Sequence, residues 1–175
     1  MKKKILFLGA SFAQVPPIKY AKKMGYYVIA CDQNKKSPGF KYCHESYIIS
    51  TTNKKKIYEI SKKLKINGIV TYVSDTASPT VSYVAKKLNL KGLPIKAVNT
   101  LIYKNLFRKF LKKNNFNYPE FKIFRSKEKI NNFIDKIGYP FFIKPIDSSG
   151  SKGVTKVVKK IFIKKAISEA LNYSK

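Results

Sequence analysis

The chain has 175 residues, enough to bury a core in one domain or in two small ones. Apolar residues make up 44% of it, but no apolar run reaches the roughly 18 residues that a membrane span needs, so we expect a cytoplasmic protein. The 37 basic and 9 acidic residues give a formal charge of +28, which would attract any polyanion. Only Arg108 and Arg125 are arginines and the lysines are scattered, so a solvated lysine surface is favoured over a nucleic-acid-binding face.

The first ninety residues alternate strand and helix patterns, which is typical of a parallel sheet covered by helices. The sequence therefore predicts an α/β fold, a doubly wound, Rossmann-like sheet with helices on both faces. The predicted strands are 5–8, 26–30, 46–49 and 68–72. A helix is predicted over 16–24, and helical spacing marks two more around 57–64 and 81–88.

Three residues follow predicted strands at the sheet edge where ligands lie in such folds, namely Gly9, Asp32 and Asp75. They are candidates for lining a substrate pocket. The dinucleotide fingerprint is absent, because Ser11 and Gln14 stand where its other glycines belong. Asp32 could hold a ribose hydroxyl, but a role in the following turn is favoured, and Asp75 is better explained as a helix cap.

Soft metal ligands are few. Cys31, Cys43 and His44 have no recognisable zinc spacing, so we expect ordinary buried or loop thiols and no metal site.

The second part of the chain predicts a long amphipathic helix over 97–113, with Ile102, Leu106 and Phe110 on one face. A smaller unit follows. Its predicted elements are strand 121–124, helix 127–137 closed by Gly138, strands 141–144 and 154–158, and a last helix over 163–173.

The most informative stretch is 139–154. A short apolar strand delivers Lys144 and then enters a segment of small residues, here called the glycine loop, residues 148–153. Glycines and serines let main-chain N–H groups approach anionic oxygens, and a lysine at the strand end adds a positive charge. Because a strand follows instead of a helix, the segment predicts a flexible hairpin that folds over a polyphosphate. A surface lysine is the less favoured explanation of Lys144.

This order of elements resembles the amino-terminal part of an ATP-grasp enzyme, in the group of biotin carboxylase, the carbamoyl phosphate synthetase large subunit and phosphoribosylglycinamide synthetase. Three stretches carry the resemblance: 5–32, then 75–108 with Lys104, and 138–154 with its glycine loop. It implies a Rossmann-like domain over 1–95, a connecting helix over 96–117, and an incomplete α+β nucleotide-binding subdomain over 118–175.

The resemblance implies an ATP site. Lys104 is similar to the family's first nucleotide-contacting lysine, although Tyr103 replaces the usual acidic residue before it, and an exposed helix lysine is an equally good explanation. Lys144 resembles the second, which reaches the α and β phosphates. The loop would cover the β and γ phosphates with Ser149, Gly150, Ser151, Lys152 and Gly153.

The family's magnesium-binding acids follow the last helix, whereas Glu169 is the only acidic residue after the glycine loop here. The resemblance thus implies a ligase that activates a small carboxylate substrate as an acyl phosphate, with Mg²⁺ expected only in a complete enzyme and this chain inactive alone. No catalytic residue is assigned. Alternatives are a split-gene product working with a separately encoded carboxy-terminal half, a nucleotide-binding remnant, a homodimer paired through exposed edges, and, least favoured, a nucleic-acid binder.

Overall fold

The computed structural model describes residues 2–125 and 131–174. The chain forms two compact units, Met1–Val98 and Asn99–Lys175, each with its own core. Within the described residues no helix is both long enough and apolar enough to cross a membrane.

The first unit is built on a parallel sheet. Its strands are β1 (Lys4–Leu8), β2 (Tyr27–Asp32), β3 (Glu45–Ile48) and β4 (Gly68–Thr71), in the order β3-β2-β1-β4. In the register, Leu6 of β1 lies opposite Ile29 of β2 and Ile69 of β4. The predicted α/β class and its four strands are confirmed.

Three helices connect these strands, α1 (Val15–Lys23), α2 (Lys54–Leu64) and α3 (Ser78–Lys87). Two prolines in the first turn pre-set the backbone of α1, and Gly25, at φ +83°, follows its last turn. The side chain of Asn53 caps α2 by accepting the N–H of Lys56 at 3.2 Å. Local sequence signals therefore set these helix ends.

The sheet separates two apolar cores, because successive side chains of a strand point to opposite faces. Leu6 and Leu8 pack with α2 and α3 on one face, whereas Phe7 packs with α1 on the other. Leu6 and Leu8 are fully buried. Burying a leucine contributes about 2 kcal/mol, so β1 anchors both layers.

The long helix predicted over 97–113 is interrupted. Instead of one helix over 97–113, the chain forms α4 (Ile95–Ile102) and α5 (Lys104–Lys113), separated by Tyr103 in an extended conformation. The N–H of Lys104 donates to the carbonyl of Ile146 at 2.9 Å, so a contact distant in sequence replaces the helical bond. The predicted apolar face is only partly covered, since Leu106 and Phe110 are exposed.

The rest of this unit comprises α6 (Asn131–Ile137), β5 (Phe141–Ile143), β6 (Thr155–Val157) and α7 (Ile163–Tyr173). The predicted last helix is confirmed to the residue. Positions 127–130 of the helix predicted over 127–137 lie outside the described residues. The core combines the hairpin with both helices through the buried side chains of Ile134, Ile143, Val157, Ile163, Ala166 and Ala170.

The predicted strand over 121–124 is wrong. These residues are irregular, although Phe124 still packs on the core of the second unit. A strand requires a neighbour for its N–H and C=O groups, and β5 and β6 pair only with each other among the described residues.

Candidate functional site

The glycine loop lies in the second unit between two paired strands. β5 and β6 are antiparallel, with Phe141 opposite Val157 and Ile143 opposite Thr155. Lys144 is the first residue after β5. The predicted hairpin is therefore confirmed.

The loop backbone has the conformation that a run of small residues permits. Gly150, Ser151 and Gly153 all have positive φ angles, of 64°, 58° and 70°. The hydroxyl of Ser148 donates to the carbonyl of Lys152 at 3.1 Å, which ties the two ends of the loop together. Gly150, Ser151 and Lys152 are exposed at its tip. Such a turn can present main-chain N–H groups to an anion.

Gly153 is buried, unlike the exposed residues at the tip of the loop. A Cβ at this position would lie 2.9 Å from Cδ2 of Tyr173 and 3.1 Å from Cγ of Pro145. Tyr173 is the last residue of α7. Gly153 is thus required where the loop passes between α7 and Pro145, a packing role that the sequence alone did not indicate.

Lys144 presents its charge to solvent. Its side chain is exposed, and its Nζ lies 5.8 Å from the ring centroid of Phe142, which is itself 57% exposed. A cation over an aromatic face is weakly oriented but not neutralised. The position is compatible with binding an anionic ligand.

Lys104 reaches the same loop from the first position of α5. It is half-buried, and its Nζ donates to the carbonyl of Ser148. The next residue, Asn105, has a buried Oδ1 with no hydrogen-bond partner within the described part of the chain. An unsatisfied buried acceptor is costly, so Asn105 marks a polar position that the sequence did not single out.

Carboxylates near the loop are few and engaged. Glu169 accepts the hydroxyl of Thr155 at 3.1 Å, and Asp147 accepts that of Ser174 at 2.9 Å. Among residues 2–125 and 131–174, no three metal-ligating side chains come together. Magnesium prefers carboxylates together with substrate phosphates, so these residues do not fit a magnesium site.

The predicted substrate residues lie at the carboxyl edge of the sheet in the first unit. Gly9 has φ +102°, and a Cβ there would lie 3.3 Å from the side chain of Gln14. Gln14 is 3% exposed and accepts the N–H of Ser11 at 2.9 Å. It therefore fills the space where a dinucleotide-binding fold admits a pyrophosphate.

Asp32 serves the turn, as the sequence favoured. One carboxylate oxygen accepts the N–H of Asn34 at 2.9 Å, and the other accepts the N–H of Ala10 at 2.8 Å. The second bond, which sequence reasoning missed, fastens the loop after β1 to the end of β2.

Asp75 does not cap α3. The residue that precedes this helix is Ala77, and no side chain accepts a hydrogen bond there. Asp75 lies two residues earlier with an exposed side chain. The cap prediction is wrong because the backbone carbonyl of Asp75, and not its side chain, accepts the N–H of Ser78 at 3.3 Å.

The cysteines and His44 have separate structural surroundings. Burial raises the pKa of the Cys31 thiol to about 12 and that of Cys43 to about 11. Cys43 donates to the carbonyl of Gly39 at 3.4 Å, and Nδ1 of His44 accepts the N–H of Val28 at 2.9 Å. Thiols with raised pKa values are poor nucleophiles, so no thiolate chemistry is indicated here.

Part of the chain matches a known protein family, and nearly all of it matches segments of longer proteins. Residues 110–175 match the family model described as D-ala D-ala ligase C-terminus. A formate-dependent phosphoribosylglycinamide formyltransferase from Methanocella arvoryzae is 25% identical over 95% of this chain and 39% of its own length.

Two solved structures share the fold. Phosphoribosylglycinamide synthetase from Anaerococcus prevotii has a TM-score of 0.69 at 23% identity, covering 100% of this chain and 44% of that one. N5-carboxyaminoimidazole synthetase from Staphylococcus aureus, complexed with ADP, has a TM-score of 0.82 at 18% identity, covering 99% and 46%. The chain thus spans less than half the length of each of these three proteins.

Proposed function

We propose that the chain is a member of the ATP-grasp superfamily and that it contributes the nucleotide-binding hairpin of an ATP-dependent carboxylate–amine ligase. In such a reaction a carboxylate oxygen attacks the γ-phosphorus of ATP, ADP leaves, and an acyl phosphate forms. The amine nitrogen then attacks the acyl carbon and phosphate leaves.

The observation that carries the proposal is the hairpin itself. An exposed Lys144 at the end of β5 precedes a loop with three positive φ angles, of 64°, 58° and 70°. In the proposed role, Lys144 binds the α and β phosphates, while Ser149, Gly150, Ser151 and Lys152 cover the β and γ phosphates. A closed loop excludes water, which would otherwise hydrolyse an acyl phosphate.

Lys104 has a supporting role in this proposal. Because its Nζ donates to the Ser148 carbonyl, it fastens the start of α5 to the beginning of the glycine loop. We propose that it stays at the edge of the bound phosphates. Gly153, buried under the loop, sets the loop path instead of contacting ATP.

Binding of a non-hydrolysable ATP analogue, measured by titration calorimetry, tests the nucleotide site. Lys144→Ala should weaken binding by roughly ten- to a hundredfold, the usual worth of a charge-assisted hydrogen bond. Lys156→Ala is the matched control, because Lys156 is an exposed lysine on β6 of the same hairpin. An equal loss of affinity in the two variants would mean that any lysine of the hairpin contributes only through its charge, and it would refute the assignment of Lys144 to the nucleotide site.

A second candidate function rests on the missing carboxylates. Since Glu169 is engaged by Thr155, we propose that the acids for magnesium come from outside residues 2–125 and 131–174. The chain would then bind nucleotide without turning it over until a carboxylate-bearing half is supplied. Steady ATP hydrolysis by the purified 175-residue chain with magnesium would contradict this.

A further inference from the structure

The second unit contains a cleft at the end of the hairpin opposite the glycine loop. Because β5 and β6 are antiparallel, the residues before β5 and after β6 lie at one end of the hairpin, and the loop lies at the other. The cleft has a volume of about 390 Å³, within the range of roughly 300 to 1,000 Å³ that is usual for small-molecule sites. It is lined by Ile134, Asp135, Gly138, Tyr139, Lys160 and Ile163.

Part of the lining is apolar. Ile134 of α6 and Ile163, the first residue of α7, are buried members of the core. The exposed ring of Tyr139 has its centroid 5.4 Å from that of Phe141. Nothing lies within 4 Å of a Cβ placed on Gly138, so the cleft stays open at this point. These residues form a surface against which an aliphatic group can pack.

The cleft also carries two opposite charges. Asp135 of α6 and Lys160, which lies between β6 and α7, are exposed. Among residues 2–125 and 131–174, neither forms an ion pair or a hydrogen bond through its side chain. A ligand that carries both an ammonium and a carboxylate group would satisfy both of them.

The general surface of the protein does not explain Asp135. Only 9 residues are acidic, whereas 37 are basic. Asp135 lies in the last turn of α6, where the helix dipole disfavours a negative charge. An acidic side chain in this position is therefore better explained by a ligand than by helix stability.

Helix α7 connects the cleft with the glycine loop. Ile163 begins the helix in the cleft, and Tyr173 ends it against Gly153, where a Cβ would lie 2.9 Å from Cδ2 of the tyrosine. Between these ends, Glu169 accepts the hydroxyl of Thr155 at 3.1 Å. A helix that is packed at both ends can transmit a displacement from one end to the other.

We infer that this cleft is an effector site for a free α-amino acid with an aliphatic side chain. Asp135 pairs with the ammonium group, Lys160 pairs with the carboxylate, and the aliphatic side chain packs on Ile134 and Ile163. Binding is transmitted through α7 to the glycine loop. Because the cleft is at the far end of the hairpin from that loop, the amino acid takes no part in the proposed reaction, and the site is additional to the proposed function.

Four probes test the site by titration calorimetry on the full chain. Leucine has both charges and an aliphatic side chain, leucinamide lacks the carboxylate, N-acetylleucine lacks the ammonium group, and glycine lacks the side chain. Leucine should bind, and each of the other three should bind about tenfold more weakly. Inorganic phosphate should not displace leucine. No binding of leucine, equal binding of leucinamide or N-acetylleucine, or displacement by phosphate would each overturn the inference.

Variants identify the charged partners. Asp135→Asn should lower leucine affinity about tenfold and leave N-acetylleucine unaffected. Lys160→Gln should lower leucine affinity by a similar factor and leave leucinamide unaffected. Lys156→Gln is the control, because Lys156 is an exposed lysine of β6 outside the lining of the cleft. An equal loss in Lys156→Gln and Lys160→Gln would overturn the assignment of Lys160.

Amide hydrogen exchange of residues 148–153 tests the connection through α7. Leucine should slow exchange in the glycine loop about fivefold or more, the lower end of usual coupling between sites. Tyr173→Ala should bind leucine unchanged but lose this protection, whereas Leu171→Ala, which truncates an exposed side chain of α7, should keep it. Unchanged loop exchange with leucine bound would overturn the effector role. The measurement needs no nucleotide, so its outcome is separate from that of the ATP-analogue titration.

Discussion

At the scale of single residues, Glu45 is held by two tyrosine hydroxyls on neighbouring strands. Tyr27, at the start of β2, donates to Oε1 at 2.9 Å, and Tyr47 of β3 donates to Oε2. The bond from Tyr47, with smaller contributions from Tyr27 and Lys4, lowers the pKa of Glu45, although desolvation acts in the opposite direction. The same bond raises the pKa of Tyr47 to about 12.

This pair makes stability depend on pH. Because the pKa of Glu45 is lower in the folded state, its stabilisation is complete above the unfolded value of about 4.3 and is lost as pH falls through the folded value. On the alkaline side, the raised pKa of Tyr47 means that its contribution persists below about pH 10 and is lost as pH rises through its folded pKa, about 12.

Glu45→Gln should therefore destabilise the chain by about 1 kcal/mol near neutral pH, after allowance for solvent screening. The difference from wild type should begin to shrink as pH falls below the unfolded value of about 4.3, and it should disappear as pH falls through the lowered folded pKa of Glu45. Urea unfolding of both proteins between pH 3 and 7 measures it. Tyr20→Phe, at an exposed tyrosine, is the control. A difference independent of pH would show that the carboxylate charge is not what stabilises the strand pair.

At the scale of elements, the parallel sheet was predictable because β1 and β2 are buried on both faces and appear as continuous apolar runs. The start of α1 was predictable from its prolines and its end from Gly25, because the backbone roles of these residues are local. The hairpin was also predictable from local sequence. A run of small residues between two short strand patterns allows the chain to turn back, so that the two strands pair with each other.

Other features depended on partners distant in the sequence. The stretch from Ala97 to Lys113 contains neither glycine nor proline, so no local signal predicts the break at Tyr103. The break depends on the carbonyl of Ile146, which accepts the N–H of Lys104. At the candidate sites, the position of Lys144 next to a strand was predictable from the apolar run that precedes it. The unsatisfied Asn105 and the hydrogen bond from Gln14 to the carbonyl of Tyr72 emerge only once loops are brought together.

The glycine loop and α7 should behave as one element, because Gly153 leaves room for Tyr173. Gly153→Ala and Gly150→Ala both place alanine at a positive φ, of 70° and 64°, which costs about 1 kcal/mol each. Only the Gly153 variant also introduces overlap with Tyr173 and Pro145, since nothing lies within 4 Å of a Cβ at Gly150. It should lose about 1 to 3 kcal/mol more.

Urea unfolding of the two glycine variants measures this difference, and a double-mutant cycle with Tyr173→Ala identifies its source. The loss in Gly153→Ala should be smaller when Tyr173 is already truncated, because the two side chains are in contact. Equal stability of Gly150→Ala and Gly153→Ala would mean that Tyr173 moves aside at no cost and that packing against α7 does not fix the loop.

At the scale of the whole molecule, 37 basic residues face only 9 acidic ones, so carboxylates cannot neutralise the surface. The salt bridge between Lys136 and Glu120, at 3.7 Å, joins two exposed side chains and contributes little. A surface of this kind binds polyanions without selectivity. Lys144 and Lys152 therefore act against a general positive background, and nucleotide binding must be distinguished from nonspecific binding to that surface.

Salt dependence and Lys144→Ala together achieve this separation. The affinity for duplex DNA, bound through the general surface, should fall steeply with salt. The slope of log affinity against log salt concentration should be about −0.9 for each phosphate neutralised. Lys144→Ala should change this slope by no more than the value of one such contact. Binding of the ATP analogue should have a shallower slope, because it depends on few charges and on the shape of the hairpin, and should be largely lost in the same variant. Both are measured by titration between about 50 and 300 mM salt. Parallel salt slopes together with equal sensitivity to Lys144→Ala would mean that the hairpin recognises phosphate only as part of a basic surface, and the ligase proposal would lose its main support.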